Sequence, residues 1–113
     1  MDDTIYKRSA EAKNLPQQDV KTIGLRFKDQ TVSVTKTICI GRASGNDVVL
    51  DRDPMVSRRH AVIERSENTC TIMDLGSTNG TYVNGNPLKV KEVRTLNGGD
   101  VVRVGNTEFQ FLG

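Results

Sequence analysis

The chain has no tryptophan, two tyrosines, three phenylalanines, one histidine and two cysteines among its 113 residues. Few aromatics leave no platform on which single-stranded nucleic acid stacks, and 16 basic against 14 acidic residues leave no dense positive field. Nucleic acid is therefore not the expected partner, and any anion must be recognised locally. Cys39 and Cys70 lie far apart with no CxxC spacing, so with a single histidine no metal-ligand set is expected. Buried free thiols in a reducing compartment fit better. Long apolar runs are also missing, which excludes a membrane-spanning helix, and Met1-Asp2-Asp3 places acid where a signal peptide carries base. The expected location is the cytoplasm. The continuous apolar stripes of a helical bundle are absent too.

What the chain does have is turns. A length of 113 residues suits one domain, and 35% hydrophobic content with ten glycines favours a small β fold. Residues 1–19 are polar and read as a flexible N-terminal tail, in which Ser9 to Asn14 is too short for an isolated helix. From Val20 the pattern has period two: Ile23, Leu25 and Phe27 share a face, followed by Val32 and Val34, then Ile38 and Ile40. Further strands are expected at Val48 to Leu50, Ala61 to Arg65, Cys70 to Met73, Tyr82-Val83, Leu88 to Val90, Val93, Val101 to Val104 and Glu108 to Leu112. Turn signals separate them, among them Lys28-Asp29, Asn79-Gly80, Asn84-Gly85 and Gly105-Asn106. Many short strands with no helical segment between them indicate an antiparallel sandwich that carries its function on loops.

Three polar clusters punctuate these strands. Gly41-Arg42 puts a planar guanidinium at a strand end, a shape suited to phosphate or carboxylate. Ser57-Arg58-Arg59-His60 places a hydroxyl and cations on a loop tip, with His60 at the entry to the next strand, where its ring suits a brace between loops. Ser77-Thr78-Asn79-Gly80-Thr81 is a turn in which Thr78 offers a hydroxyl and Asn79 an amide able to bond an extended peptide in both directions. Together they supply the groups needed to hold a phosphate and the peptide beside it. A hydrolase of Ser57, His60 and Asp74 is disfavoured, because no Gly-x-Ser-x-Gly elbow surrounds Ser57 and His60 follows it too closely in the same segment.

In this order the clusters resemble the forkhead-associated (FHA) domain family, whose signature is Gly-Arg, then Ser-x-x-His, then a Ser/Thr-Asn-Gly turn. The likeness runs from about Val20 to Leu112 and includes Gly45-Asn46-Asp47, Asp74-Leu75 and Leu96 to Asp100. It implies an all-β, eleven-stranded antiparallel sandwich over residues 20–113 and binding of phosphothreonine peptides through loops at one end. It further implies that Arg42, Ser57, Arg58, Thr78 and Asn79 contact the phosphothreonine or its backbone, with Arg59 able to share the role of Arg58, while Gly41, His60 and Gly80 shape the loops. The expected function is a non-enzymatic signalling adaptor downstream of Ser/Thr kinases, with no cofactor, metal or membrane. The alternative is an FHA-like scaffold that binds protein without phosphate. The resemblance also implies that partner choice depends on the residue three places after the phosphothreonine; the neighbouring loop Asp51 to Val56 mixes acid, base and apolar groups, and its Met55 offers an adaptable apolar contact. On the tail, Thr4 is a possible phosphosite that the pocket would capture in its own molecule or a neighbour's.

Overall fold

The computed structural model describes residues 23–113. The tail over 1–19, the turn at Ser9 to Asn14, Thr4 and the domain start at Val20 lie outside the described residues. Eleven strands and no helix form among the residues described. They are β1 (Gly24–Phe27), β2 (Gln30–Ser33), β3 (Thr37–Gly41), β4 (Val48–Val49), β5 (Ala61–Ser66) and β6 (Thr69–Asp74). The chain continues through β7 (Thr81–Val83), β8 (Asn86–Pro87), β9 (Val93–Leu96), β10 (Val101–Val104) and β11 (Thr107–Leu112). One sheet runs β9-β6-β5-β3-β4 and the other β2-β1-β11-β10-β7-β8.

The period-two pattern explains why these segments pair. On β3, Ile38 and Ile40 point into the sandwich, and Ile63 and Ile72 meet them from β5 and β6. From the opposite sheet come Leu25, Val83, Val102, Val104, Phe109 and Phe111, all buried. Fully burying an aliphatic or aromatic side chain contributes about 1.5–3 kcal/mol, so this inner layer is the main source of cohesion. Cys70 lies within it, and burial pushes its thiol pKa up, with a smaller opposing effect from Arg65. Cys39 differs from the expectation. It faces outward on β3 beside Val62 and is only half-buried; both thiols are free.

Two expectations about strands need correction. The sandwich is not wholly antiparallel, because β3 and β4 pair in parallel, Ile40 opposite Val48. The reason lies at Asp47, whose amide donates to the Cys39 carbonyl at 2.9 Å while its carboxylate accepts the Cys39 amide at 2.8 Å. The chain is thereby returned to a point below Gly41 before it runs upward again. The run Leu88 to Val90 is not a strand; pairing falls earlier, at Asn86–Pro87. Beyond Leu88 the chain closes into a turn in which Glu92 bonds back to Lys89 and Lys91 takes a φ of 67°.

Antiparallel register gathers the loops at one end. Ile40 lies opposite Ala61, and Ala61 opposite Asp74, so the end of β3, the start of β5 and the end of β6 are side by side. The segment 75–80 then crosses to β7, where Thr81 faces Val104, bringing the Gly105-Asn106 hairpin to the same end.

Candidate functional site

His60 is the hub of this end. It has 0% relative exposure, and each ring nitrogen holds a different loop. Nδ1 accepts the Ser57 amide at 3.0 Å, which leaves the proton on Nε2, and Nε2 donates to the Gly80 carbonyl at 2.8 Å. Both loops are thus set at one distance by one ring. Gly80 takes a φ of +87°, a conformation that L side chains rarely adopt, and its amide is held by the Ser77 hydroxyl at 2.9 Å. The Ser57 hydroxyl oxygen meets the Thr78 amide at 3.1 Å rather than the imidazole. With both ring nitrogens engaged elsewhere, the Ser57, His60 and Asp74 side chains do not form a hydrolytic relay.

Gly41 makes the first loop possible. A Cβ there would lie 2.2 Å from the Arg58 carbonyl oxygen, and that oxygen accepts the Ala43 amide at 3.2 Å and the Asn46 side-chain amide at 2.7 Å. Next along, the Arg42 amide donates to the Ser57 carbonyl at 2.9 Å. The Arg42 side chain is anchored through Nε, which donates to the Val56 carbonyl at 2.9 Å. This bond aims the fork and leaves both terminal nitrogens without a partner among the described residues. From the third loop, Asn79 Nδ2 donates to the Met55 carbonyl at 2.9 Å. The same nitrogen also lies 3.9 Å from the Met55 sulfur, a weak acceptor, while the Oδ1 of that amide accepts nothing among the described residues.

Arg42, Ser57, Thr78 and Asn79 therefore converge at one end of the sandwich. The Ser57 hydroxyl accepts from Thr78 yet keeps its own proton to donate. Arg58 and Arg59 are exposed and make no side-chain hydrogen bond among the described residues.

Asp74 supports the third loop from beneath. It is 4% exposed, and its carboxylate accepts the Gly76 and Ser77 amides and the Ser77 and Thr81 hydroxyls at 2.6–2.9 Å. Burial alone raises its pKa, but these donors outweigh burial and hold the carboxyl below its ordinary value. A depressed carboxyl contributes stability above its unfolded value of about 4, and this stability is lost as pH falls through the folded value. Asp74→Asn is accordingly expected to be less stable than the parent at neutral pH, with the gap closing in acid. Urea midpoints of both proteins from about pH 7 down to about pH 2 test this; a gap independent of pH contradicts it.

Two supports carry little signal in the sequence. Asn46 ties its own turn, at the Ala43 carbonyl, to the Arg58 carbonyl, and only its place in Gly45-Asn46-Asp47 hints at it. Asp53 accepts the Met55 amide at 3.0 Å, the Asn106 amide at 2.8 Å and the Thr107 hydroxyl at 2.7 Å. It pins the loop carrying Met55 to a hairpin 53 residues away in sequence, which no local pattern reveals.

Known proteins share this fold. The family model for the FHA domain matches residues 38–105, and the chain belongs to that family. Among curated relatives, the oxoglutarate dehydrogenase inhibitor of Corynebacterium jeikeium is 40% identical over 77 residues, 68% of this chain and 51% of the relative. The glycogen accumulation regulator GarA of Mycobacterium tuberculosis is 42% identical over 72 residues, 64% of this chain and 42% of the relative. The chain thus spans about half the length of the curated relatives it matches. A solved structure described as an analysis of phosphothreonine-dependent FHA domain interactions superposes with a TM-score of 0.74 at 32% identity, covering 81% of this chain and 96% of that one. Mycobacterium tuberculosis EmbR, solved with a low-affinity phosphopeptide, gives 0.75 at 34% identity, covering 81% and 24%.

Proposed function

We propose that the chain is a phosphothreonine-peptide-binding adaptor acting downstream of Ser/Thr kinases, without catalytic activity of its own. The observation that carries this reading is the convergence of the open guanidinium nitrogens of Arg42, the hydroxyl of Ser57 and the side-chain amide of Asn79, whose Oδ1 has no partner among the described residues. The relatives support it, being named as an inhibitor and a regulator, as do the phosphothreonine and phosphopeptide contexts of the solved structures. Arg42 and Ser57, with Thr78 and Arg58 beside them, take the phosphate oxygens, while Asn79 bonds the peptide backbone. His60, Gly41 and Gly80 hold the loops in place. Two free thiols suit a reducing, cytoplasmic setting, and no described helix is long and apolar enough to cross a membrane.

A threonine phosphate brings close to two negative charges and three acceptors. Three or four charge-assisted hydrogen bonds at about 1.5–3 kcal/mol each, against about 2–5 kcal/mol for ordering the peptide, give micromolar binding near −8 kcal/mol once backbone bonds are added. Calorimetry with peptides selected from an oriented phosphothreonine library tests this. The phosphorylated peptide is expected to bind at least about a hundredfold tighter than its unmodified twin. Equal binding of the two would instead identify a phosphate-independent scaffold. The methyl group distinguishes phosphothreonine from phosphoserine by about 0.8 kcal/mol of burial, with more from the stiffer χ1 of threonine. In the same assay, protein phosphorylated at Thr4 is expected to bind outside phosphopeptides more weakly or to self-associate, because the tethered phosphate competes at high effective concentration. Full-strength binding by a monomer contradicts capture of Thr4.

A further inference from the structure

Exposed apolar side chains gather at one sheet edge. Val90 and Val93, at 68% and 61%, are the most exposed large hydrophobic residues described, and they stand on the approach to β9 and at its start. β9 borders its sheet, bonding to β6 on one side and to no described residue on the other. Such a strand offers unpaired main-chain donors and acceptors as a template for another strand, and proteins blunt these edges with proline, charge or very short strands. The other three edges are protected in that way or are polar: β4 and β8 have two residues each, β8 includes Pro87, and β2 reads Gln30-Thr31-Val32-Ser33. β9, over Val93-Arg94-Thr95-Leu96, has no proline, and its one charge is neutralised by Glu92 at 2.6 Å. Val93 also begins an apolar row across the outer face of the sheet, lying opposite Met73, with Met73 opposite Val62 and Val62 opposite Cys39.

We infer that β9 pairs antiparallel with β9 of a second copy of this chain, about a two-fold axis at Val93. Directly opposite residues of an antiparallel pair share a face, so a two-fold axis normal to the sheet must pass through a residue, and charge selects which one. Centred on Val93, the pairing sets Val93 against its own mate and Glu92 opposite Arg94 of the second copy, once on each side of the axis. Centred on Arg94, it opposes two guanidiniums; centred on Thr95, it sets Arg94 against Leu96, which is buried. Of these registers, the first alone brings unlike charges together. Glu92 and Arg94 already meet within one copy, so the edge presents no net charge to repel a copy, and the two pairs close into one network. Two five-stranded sheets become one, and the row Val93, Met73, Val62 and Cys39 runs on across the axis into its own repeat. The contact is isologous, so it closes at two copies. It puts two copies of the site on one particle and depends on no part of the phosphothreonine reading. An edge contact is smaller than the about 1,200–2,000 Å² of stable interfaces, so association is expected at roughly ten to several hundred micromolar.

Sedimentation velocity of the full chain across that concentration range tests the pairing. The parent is expected to pass from monomer to dimer as concentration rises, with amide exchange over Val93–Leu96 slowing in step, a readout that needs no variant. Val93→Lys, at an exposed position, is expected to stay monomeric with an unchanged unfolding temperature. Charge exchange is the decisive arm. Glu92→Arg leaves arginine at both opposed positions and Arg94→Glu leaves glutamate at both, so each variant alone is expected to dimerise at least about tenfold more weakly. Their equimolar mixture is expected to form a heterodimer, because every opposed pair in it is unlike. If the two residues serve only their own copy, the mixture stays as monomeric as its components, and that result overturns the inference. A parent that is monomeric throughout, as when another segment of the chain occupies the edge, overturns it too, and so does a dimer that Val93→Lys leaves intact.

Discussion

Arg42→Ala is expected to lower phosphothreonine-peptide affinity by at least about a hundredfold while the domain remains folded. The guanidinium of Arg42 is held by one bond, Nε to the Val56 carbonyl, and both terminal nitrogens are presented outward. Two charge-assisted bonds to phosphate at about 1.5–3 kcal/mol each amount to 3 kcal/mol or more, and 1.4 kcal/mol is a tenfold change. The fold loses little. The side chain is exposed, and the amide that bonds the Ser57 carbonyl belongs to the backbone, which alanine keeps. Arg42→Lys should fall between the two, since an ammonium preserves charge but not the fork. Ser57→Ala should weaken binding in the same way, with the added loss of an acceptor for the Thr78 amide. Calorimetry against one phosphopeptide, paired with thermal unfolding, separates the effects. A large fall in unfolding temperature for Arg42→Ala would show that the residue supports the fold rather than the ligand.

Gly41→Ala, one residue earlier, should do the opposite, destabilising the domain by more than about 2 kcal/mol and losing binding as a consequence. The argument is steric. The added carbon would sit 2.2 Å from the Arg58 carbonyl oxygen and 2.7 Å from Asn46 Nδ2. Neither neighbour yields cheaply, because the oxygen is main chain and both are joined by the bond that ties the first loop to the second. His60→Ala belongs to the same class, since it strands the Ser57 amide and the Gly80 carbonyl inside the protein at about 1–3 kcal/mol each. Chemical denaturation of both variants checks the claim. A Gly41→Ala protein with parental stability and lost binding would place Gly41 among the ligand contacts.

Much of the fold was legible because a half-buried strand writes period two into its side chains. Ile23, Leu25 and Phe27 on one face, and Asn84-Gly85 between Val83 and Asn86, needed no tertiary knowledge. The failures were of another kind. Val48-Val49 looks the same whether its neighbour runs parallel or antiparallel, and the direction was set by Asp47 reaching Cys39. Leu88 to Val90 is apolar enough for a strand, yet the Glu92 carboxylate turns the chain at Lys89. In the site, residue types were legible from the ordered clusters. Asn46 and Asp53 were not singled out, because their partners are backbone atoms in other loops.

The sequence by itself determined the class of fold, the positions of the turns and the stock of phosphate-binding groups, since each depends on residues close together in the chain. Tertiary structure decided which of those groups stay open. Asn79 gives one N–H to Met55 and Arg42 gives Nε to Val56, bonds that span 24 and 14 residues. Such bonds exist only once antiparallel pairing has brought distant loops to one end, and what they leave unpaired is what a ligand meets.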